Sequence, residues 1–393
     1  MASALLKYGF LTIATAIGLY AVFLGLLSNP RFQAHAVYLH KIQMTWFKDL
    51  NIPESFGFLR GQVTPFYIKV PDGGEVYAWH VLPVEAYRKN EAALIHQPSG
   101  LSSDIEESLS FRLLRDDPES ILVIHMHGAA GTVGSGYRVP NYRALSAGDP
   151  SRIHVLTFDY RGFGKSLGTP TETGLIEDAL AVVDWSINVA RVPPSRILIF
   201  GQSLGAAVNL AVAERYARRS PAIVFAGHVL VAPFVDTTSL VTTYKIAGTI
   251  PLLSPLAQFP FLFQYLKQFI EDKWASYARI ANYIQVNEIN KRPYQITIIH
   301  AKDDYDIPWQ HTETLFWHAA NATAREASLD YSKFQHLRQK GRSMLGSAGS
   351  EFLWTTDGGS LREEILETGL HDVIMGNPVV SLAVMRLIHG HQS

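Results

Sequence analysis

Apolar residues in this chain fall into short β-branched runs that alternate with longer stretches of helical spacing. "FYIKV" and "EVYAWHVLP" flank Pro71-Asp72-Gly73-Gly74, which predicts two strands joined by a tight turn. "SILVIHMH" (120–127) and "RIHVLTFDY" (152–160) are strand runs, each followed by a glycine-bearing loop. Over 173–190, Leu175, Ala179, Val182, Val183 and Ile187 recur at helical spacing, and Pro193-Pro194 stops the helix. "RILIF", a turn holding a serine, and a helix to about Arg218 come next. "HVLVAPF" (228–234) and "YQITIIHA" (294–301) read as later strands, and "VVSLAVMRLIHG" as a final helix. "QKGRSMLGSAGSEF" (339–352) is Gly/Ser-rich and reads as a surface loop. The alternation predicts an α/β fold, a mostly parallel central sheet with helices on both faces.

Two stretches depart from this rhythm. Residues 8–27, "YGFLTIATAIGLYAVFLGLL", carry no charge, follow Lys7 and end at Ser28-Asn29-Pro30-Arg31. A helix of that length spans roughly 30 Å of hydrocarbon. A cleaved signal peptide would have a shorter apolar core and a small-residue cleavage site, so the expectation is an uncleaved transmembrane anchor over 1–30. Residues 31–60 read as a membrane-proximal segment and 61–393 as the main domain. The second stretch, 235–293, includes the Leu-, Phe- and Pro-rich "TIPLLSPLAQFPFLFQYLKQFIEDKW" (249–274). Its prolines and aromatics suit an apolar cap over a site better than a regular covering helix.

The 393 residues are 47% hydrophobic and 18% charged, enough for a large core, and the formal net charge of −1 gives no reason to expect a nucleic-acid partner. Cysteine is absent, which excludes disulfides, thiolate metal sites and cysteine nucleophiles. Membrane orientation is ambiguous: Lys7 precedes the span while Arg31, Lys41 and Lys48 follow it, which favours a cytoplasmic domain, whereas the sequon Asn321-Ala322-Thr323 is compatible with a lumenal one.

In "ILIFGQSLGAAVNL" (197–210) a serine sits between two glycines where a strand gives way to a helix. A sharp turn of this kind leaves no room for side chains at Gly201 and Gly205, and the helix beyond aims backbone amides at Ser203. A serine hydroxyl needs a base, and in such a fold the chain order is Ser, acid, His. "HAKDDYDIPW" (300–309) offers Asp303, Asp304 and Asp306 after a strand; Asp304 is the expected acid and Asp303 the alternative. His371, in "ETGLHDVIM", is the best-placed base among fifteen histidines, ahead of His336, His389 and His391. The oxyanion donors are expected from the amide of Leu204 and from Ala129 in "HMHGAAGTVGS", with Gly128 letting that loop pass close to the serine. This chemistry requires no metal and no cofactor.

These stretches resemble the α/β-hydrolase superfamily. "HMHGAAGT", "FDYRGFGKSLGTPTETGLIEDALAVVDW", "GQSLG" and "HAKDDYDIP" are similar to the membrane-anchored α/β-hydrolase domain-containing protein twelve family, its fungal relatives included. The resemblance covers about residues 50–390, and 158–185 is its most specific part. It implies an α/β-hydrolase fold, a serine lipase of monoacylglycerols or lysophospholipids, one N-terminal span and a catalytic domain in the endoplasmic reticulum lumen. It carries the nucleophile onto Ser203, the acid onto Asp304, the base onto His371 and the oxyanion donors onto Ala129 and Leu204. This chain departs from the pattern at Ala129, where Asn is frequent, at Gln202, where His is, and at Tyr305 and Asp306. The function read here is therefore hydrolysis of a lipid carboxylic ester at a bilayer. The rivals are a protein acyl-thioesterase or peptidase using the same triad, and an inactive membrane-tethered binding module. Oligomeric state is not legible.

Overall fold

The computed structural model describes residues 2–246, 250–251, 258–324 and 329–390. Its strands are β1 (Val63–Lys69), β2 (Glu75–Val81), β3 (Ile121–Met126), β4 (Ile153–Phe158), β5 (Ile197–Gln202), β6 (Gly227–Val231), β7 (Lys245–Ile246), β8 (Ile250–Pro251), β9 (Tyr294–Ala301), β10 (Ser343–Met344), β11 (Gly349–Thr355) and β12 (Gly359–Leu366). Ten of them form one sheet in the order β1-β2-β4-β3-β5-β6-β9-β12-β11-β10. The six central strands run parallel, and the antiparallel pairs lie at the two edges. This is the mostly parallel sheet that the alternation predicts.

The central strands are continuous apolar runs because both faces are covered. Along β3, Leu122, Ile124 and Met126 belong to one core while Ile121 and Val123 belong to the other. The first core is closed by the helices Glu172–Asn188 and Leu204–Ala217, the second by Arg138–Ser146 and Pro378–His389. The C-terminal ends of β3, β5, β9 and β12 share one sheet edge, so the loops after them converge there.

Three expectations change at this level. The cap expected over 235–293 divides in two. Helix Ser276–Ile289 buries Ile280, Tyr283 and Ile284 against the sheet layer, so it is ordinary covering. Residues of the helix Thr237–Thr243, the helix Pro260–Leu266 and the turn Lys267–Phe269 instead line a cavity with Ser203; 247–249 and 252–257 lie outside the described residues. The stretch 339–352 is not a simple surface loop. It holds β10 and the start of β11, which pairs antiparallel with β12. Its glycine reads as a loop signal, but Gly349 has φ +149° and lies where a Cβ would meet the backbone of Ile365 and Leu366.

The third concerns residues 31–60, which are integrated into the core of the main domain. The N-terminal helix Ala2–Leu27 is followed by Asn29, whose side chain caps a second helix, Pro30–Tyr38, with Pro30 in its first turn. Within 31–60, Ala34, Tyr38, Leu50, Phe56 and Phe58 are buried. The rings of Phe56 and Phe58 pack edge-on against Trp79 of β2, and the Trp79 indole donates to the Leu50 carbonyl at 3.1 Å. Residues Leu6–Leu27 form one helix long and apolar enough to cross a membrane.

Candidate active site

Ser203 follows β5 directly, at φ +55° and ψ −119°, a conformation rarely adopted by a residue with a side chain. The amide of Ser203 donates to the Val231 carbonyl at 2.9 Å, and the Ser203 carbonyl accepts from Ala206, which pins the turn. The flanking glycines are sterically required. A Cβ on Gly201 would strike the carbonyl of Gly205, and one on Gly205 would strike the carbonyl of Met126 in β3. A Cβ on Gly128 would run into the Gln202 side chain.

The acid and the base come together after β9 and β12. His371 Nδ1 lies 2.7 Å from Asp304 Oδ2. That same oxygen is 3.1 Å from His300 Nε2, while Oδ1 accepts the amides of Asp306 and Ile307, both at 2.9 Å. Asp303 does something else: its Oδ1 accepts the amides of Gly369 and Leu370 at 2.8 Å each and so fixes the loop that carries His371. Of the two carboxylates open from sequence, Asp304 is the imidazole's partner. Burial works against the charged forms of this pair. The positive charge of His371 and the hydrogen bond from His300 nevertheless hold the Asp304 carboxyl well below its ordinary range. Burial likewise lowers His371, but Asp304, with Asp372 and Asp306, outweighs it and raises the imidazole to about 9. The rival histidines lie elsewhere: His336 and His389 are exposed on helices, and His391 is outside the described residues.

Donor atoms of Asp304, Asp306 and His371 lie within 4.8 Å of one another, a spacing that could hold a metal ion. Each Asp304 oxygen already has two N–H partners, however, and a metal would have to displace them.

Two further residues organise the site, and the sequence assigned a role to neither. Arg138, buried, donates to the carbonyls of Gly128, Ala129, Ala130 and Thr132 at 2.6–3.2 Å. A planar trans peptide sets C=O and the following N–H on opposite sides. By holding the Gly128 carbonyl, Arg138 therefore turns the Ala129 amide to the other side of the strand-to-loop turn. Gln202, the residue before the serine, donates to the His371 carbonyl and to Asp372 Oδ1, both at 3.2 Å. It couples the serine turn to the histidine loop. An arginine recognisable only by what its fork bonds, and a glutamine in a position read as a departure, become visible only once the loops have met.

Ser203, His371, Ala129 and Leu204 line one cavity of about 500 Å³, together with Asp306. The sequence matches the Alpha/beta hydrolase family over residues 121–342, more than half of the chain. The chain belongs to the alpha/beta hydrolase family. It is 28% identical over 315 residues to the lysophosphatidylserine lipase ABHD12 of Danio rerio, covering 78% of this chain and 70% of that protein. It is 33% identical over 190 residues to that of Rattus norvegicus, covering 48% of this chain and 42% of that protein. Within the family it is thus an ABHD12-like α/β-hydrolase, in line with the quoted motifs. The α/β-hydrolase of Vibrio vulnificus superposes with a TM-score of 0.54 at 14% identity, covering 92% of this chain and 94% of that one, a likeness of fold.

Proposed function

We propose that this serine ester hydrolase is anchored in a bilayer and cleaves carboxylic esters of single-chain lipids, monoacylglycerols or lysophospholipids. The observation that carries the reading is the 2.7 Å pair of His371 and buried Asp304, with His371 facing the same cavity as a serine held at positive φ. Ser203 Oγ attacks the acyl carbonyl as His371 takes its proton. The amides of Ala129 and Leu204 stabilise the oxyanion. The C–O bond to the alcohol then breaks, and His371 returns the proton to the leaving oxygen. A water molecule, deprotonated by His371, attacks the acyl-enzyme and releases the fatty acid, restoring Ser203. Asp304 keeps the imidazole in the productive tautomer and stabilises its charged form.

Lipid esters are favoured over other acyl compounds by the apolar lining of the cavity and by the names of the relatives. The anchor helix, compatible with a single membrane span, supports action at a bilayer. The family resemblance supports an endoplasmic reticulum location with the catalytic domain in the lumen, which protease protection of microsomes tests. For the activity, fatty-acid release from monooleoylglycerol, a lysophospholipid and a palmitoylated peptide is compared between wild type and Ser203→Ala. Serine-dependent release from the lipids is expected. Release from the peptide alone would make the protein a thioesterase. No release from any substrate, with a fluorophosphonate failing to label Ser203, would leave a binding module.

A further inference from the structure

The cavity at Ser203 does not end under the cap. Its far wall is formed by Phe23, Leu24 and Leu27 of the anchor helix. These residues are half-buried, as is Tyr20, while every other residue from Leu6 to Leu27 is exposed. Positions 20, 23, 24 and 27 make a single i, i+3, i+4, i+7 stripe, so the anchor's last two turns present one face to the hydrolase domain and the rest to its surroundings. The helix Pro260–Leu266 continues that wall. Phe263 and Leu266 line the cavity, whereas Phe261 is 91% and Tyr265 58% exposed on the outside. A helix apolar on both faces suits one that has the cavity on one side and lipid on the other.

The seam between anchor and cap is fastened by polar bonds. Gln33, just past the anchor, donates from Nε2 to the Phe269 carbonyl and accepts the Glu271 amide at 3.0 Å. Tyr38 Oη donates to Asp272 Oδ2 at 2.7 Å and accepts from the Trp274 indole at 3.1 Å. On the other side, the Tyr38 carbonyl accepts the Ala130 amide at 2.8 Å and the Ile42 carbonyl accepts the Gly131 amide at 2.6 Å. The segment after the anchor is thus bonded both to the cap and to the loop carrying the oxyanion donor. The catalytic end of the cavity and its membrane end are held by one continuous piece of chain.

We infer that the anchor helix is part of the substrate site: Phe23, Leu24 and Leu27 form the outer wall of an acyl-chain passage that runs from the bilayer to Ser203. The substrate's hydrocarbon tail lies along the anchor stripe while its ester reaches the serine, and it never crosses water. Each methylene of such a tail would otherwise have to be exposed on the way. The volume of about 500 Å³ lies within the roughly 300–1,000 Å³ of ligand clefts. The inference rests on the ester-hydrolase reading and adds to it a selectivity for long acyl chains that the anchor supplies.

The test uses the full chain in phosphatidylcholine vesicles. Leu24→Trp fills the passage wall with an apolar side chain that leaves membrane insertion intact. Leu19→Trp makes the same change on the exposed face, where Leu19 is 67% exposed. The readout is the ratio of kcat/KM for monooleoylglycerol to that for p-nitrophenyl butyrate. We expect Leu24→Trp to lower this ratio at least tenfold and Leu19→Trp to leave both activities unchanged. A ratio in Leu24→Trp within twofold of that in Leu19→Trp overturns the inference. Should Leu24→Trp not fold, Phe23→Ala, which widens the wall, must shift the acyl-length optimum to longer or bulkier chains, and an unmoved optimum overturns the inference equally. A wild type inactive on both esters would count against the hydrolase reading alone. The passage would then be decided by retention of radiolabelled oleate in nanodiscs, which Leu24→Trp must reduce at least fivefold relative to Leu19→Trp.

Discussion

Two neighbouring carboxylates, Asp303 and Asp304, are separated by what they hold: one binds two backbone amides, the other an imidazole. Asp304→Asn should lower kcat on the order of 10³–10⁴-fold, because the wrong tautomer of His371 is then favoured. Asp303→Asn leaves the imidazole its partner and should cost far less. The pH profile adds a second readout. In the proposed mechanism neutral His371 is the working form, and Asp304 raises its pKa to about 9 from the ordinary 6.5. Activity should therefore climb through the alkaline range, with an apparent pKa well above 6.5. In Asp304→Asn that rise should move to lower pH. Arg138 makes a different prediction. Its guanidinium binds four loop carbonyls, and neither Met nor Lys can reproduce that fork. Loss of an aligned oxyanion donor costs on the order of 10²-fold in kcat, so Arg138→Met should lower kcat by about that much and leave KM nearly unchanged.

At the level of elements, the segment between the N-terminal helix and the sheet is bonded to residues 269–274. Tyr38 is fully buried and its hydroxyl links Asp272 to Trp274, while the other Asp272 oxygen accepts the Glu172 amide at 2.9 Å. Tyr38→Phe would strand the indole N–H and free one carboxylate oxygen, at a cost of about 1–3 kcal/mol for buried groups left unpaired. A lowered thermal midpoint by calorimetry, with faster proteolysis in the 258–275 region, is the expected result. The parts of this chain legible in the sequence are those with a local cause. The apolar runs of β3, β5 and β9, the glycines around Ser203 and the uncharged run of the N-terminal helix each state their own physics. What stayed hidden depends on partners distant in sequence. Gln33 reads as a polar residue in a collar until Phe269 and Glu271 are beside it. Likewise β11 reads as a loop because its glycine serves a close approach to β12 rather than a turn, and helix Ser276–Ile289 reads as cap because its sheet-facing stripe follows a run of exposed aromatics.

The molecule as a whole balances titrating groups of opposite sign. His80, His125, His127, His154 and His228 are fully or almost fully buried along β2, β3, β4 and β6 and in the turn after β3, and burial depresses all five, His80 to about 4 and His228 to about 3. Each is neutral in the folded chain and protonates in the unfolded chain below about 6.5. The stability they contribute is present above that pH and is lost as pH falls toward the folded values. At pH 5.5 this amounts to about 1 kcal/mol per ring. Asp159, pushed up to about 7 by burial, works the other way between its ordinary 3.8 and 7, as do Asp178, Glu363 and Glu364, which burial also raises, while His40, His311 and His318, lowered by burial, add to the five rings. His371 has the reverse sign of the buried histidines. Its raised pKa contributes stability that is fully present below 6.5 and is lost as pH climbs toward 9. Denaturant midpoints measured across pH should therefore peak near neutrality and fall on both sides, steeply on the acid side. Asp304→Asn should flatten the alkaline decline, because it removes the partner that raises His371, and should leave the slope between pH 7 and 5 intact, where the Asp304 carboxylate does not titrate. A wild-type midpoint that stays level from pH 7 to 5 would show that the five rings do not stay neutral in the fold. If both slopes hold, catalysis improves toward alkaline pH while the fold weakens there, and both trends originate in the pairing of Asp304 with His371.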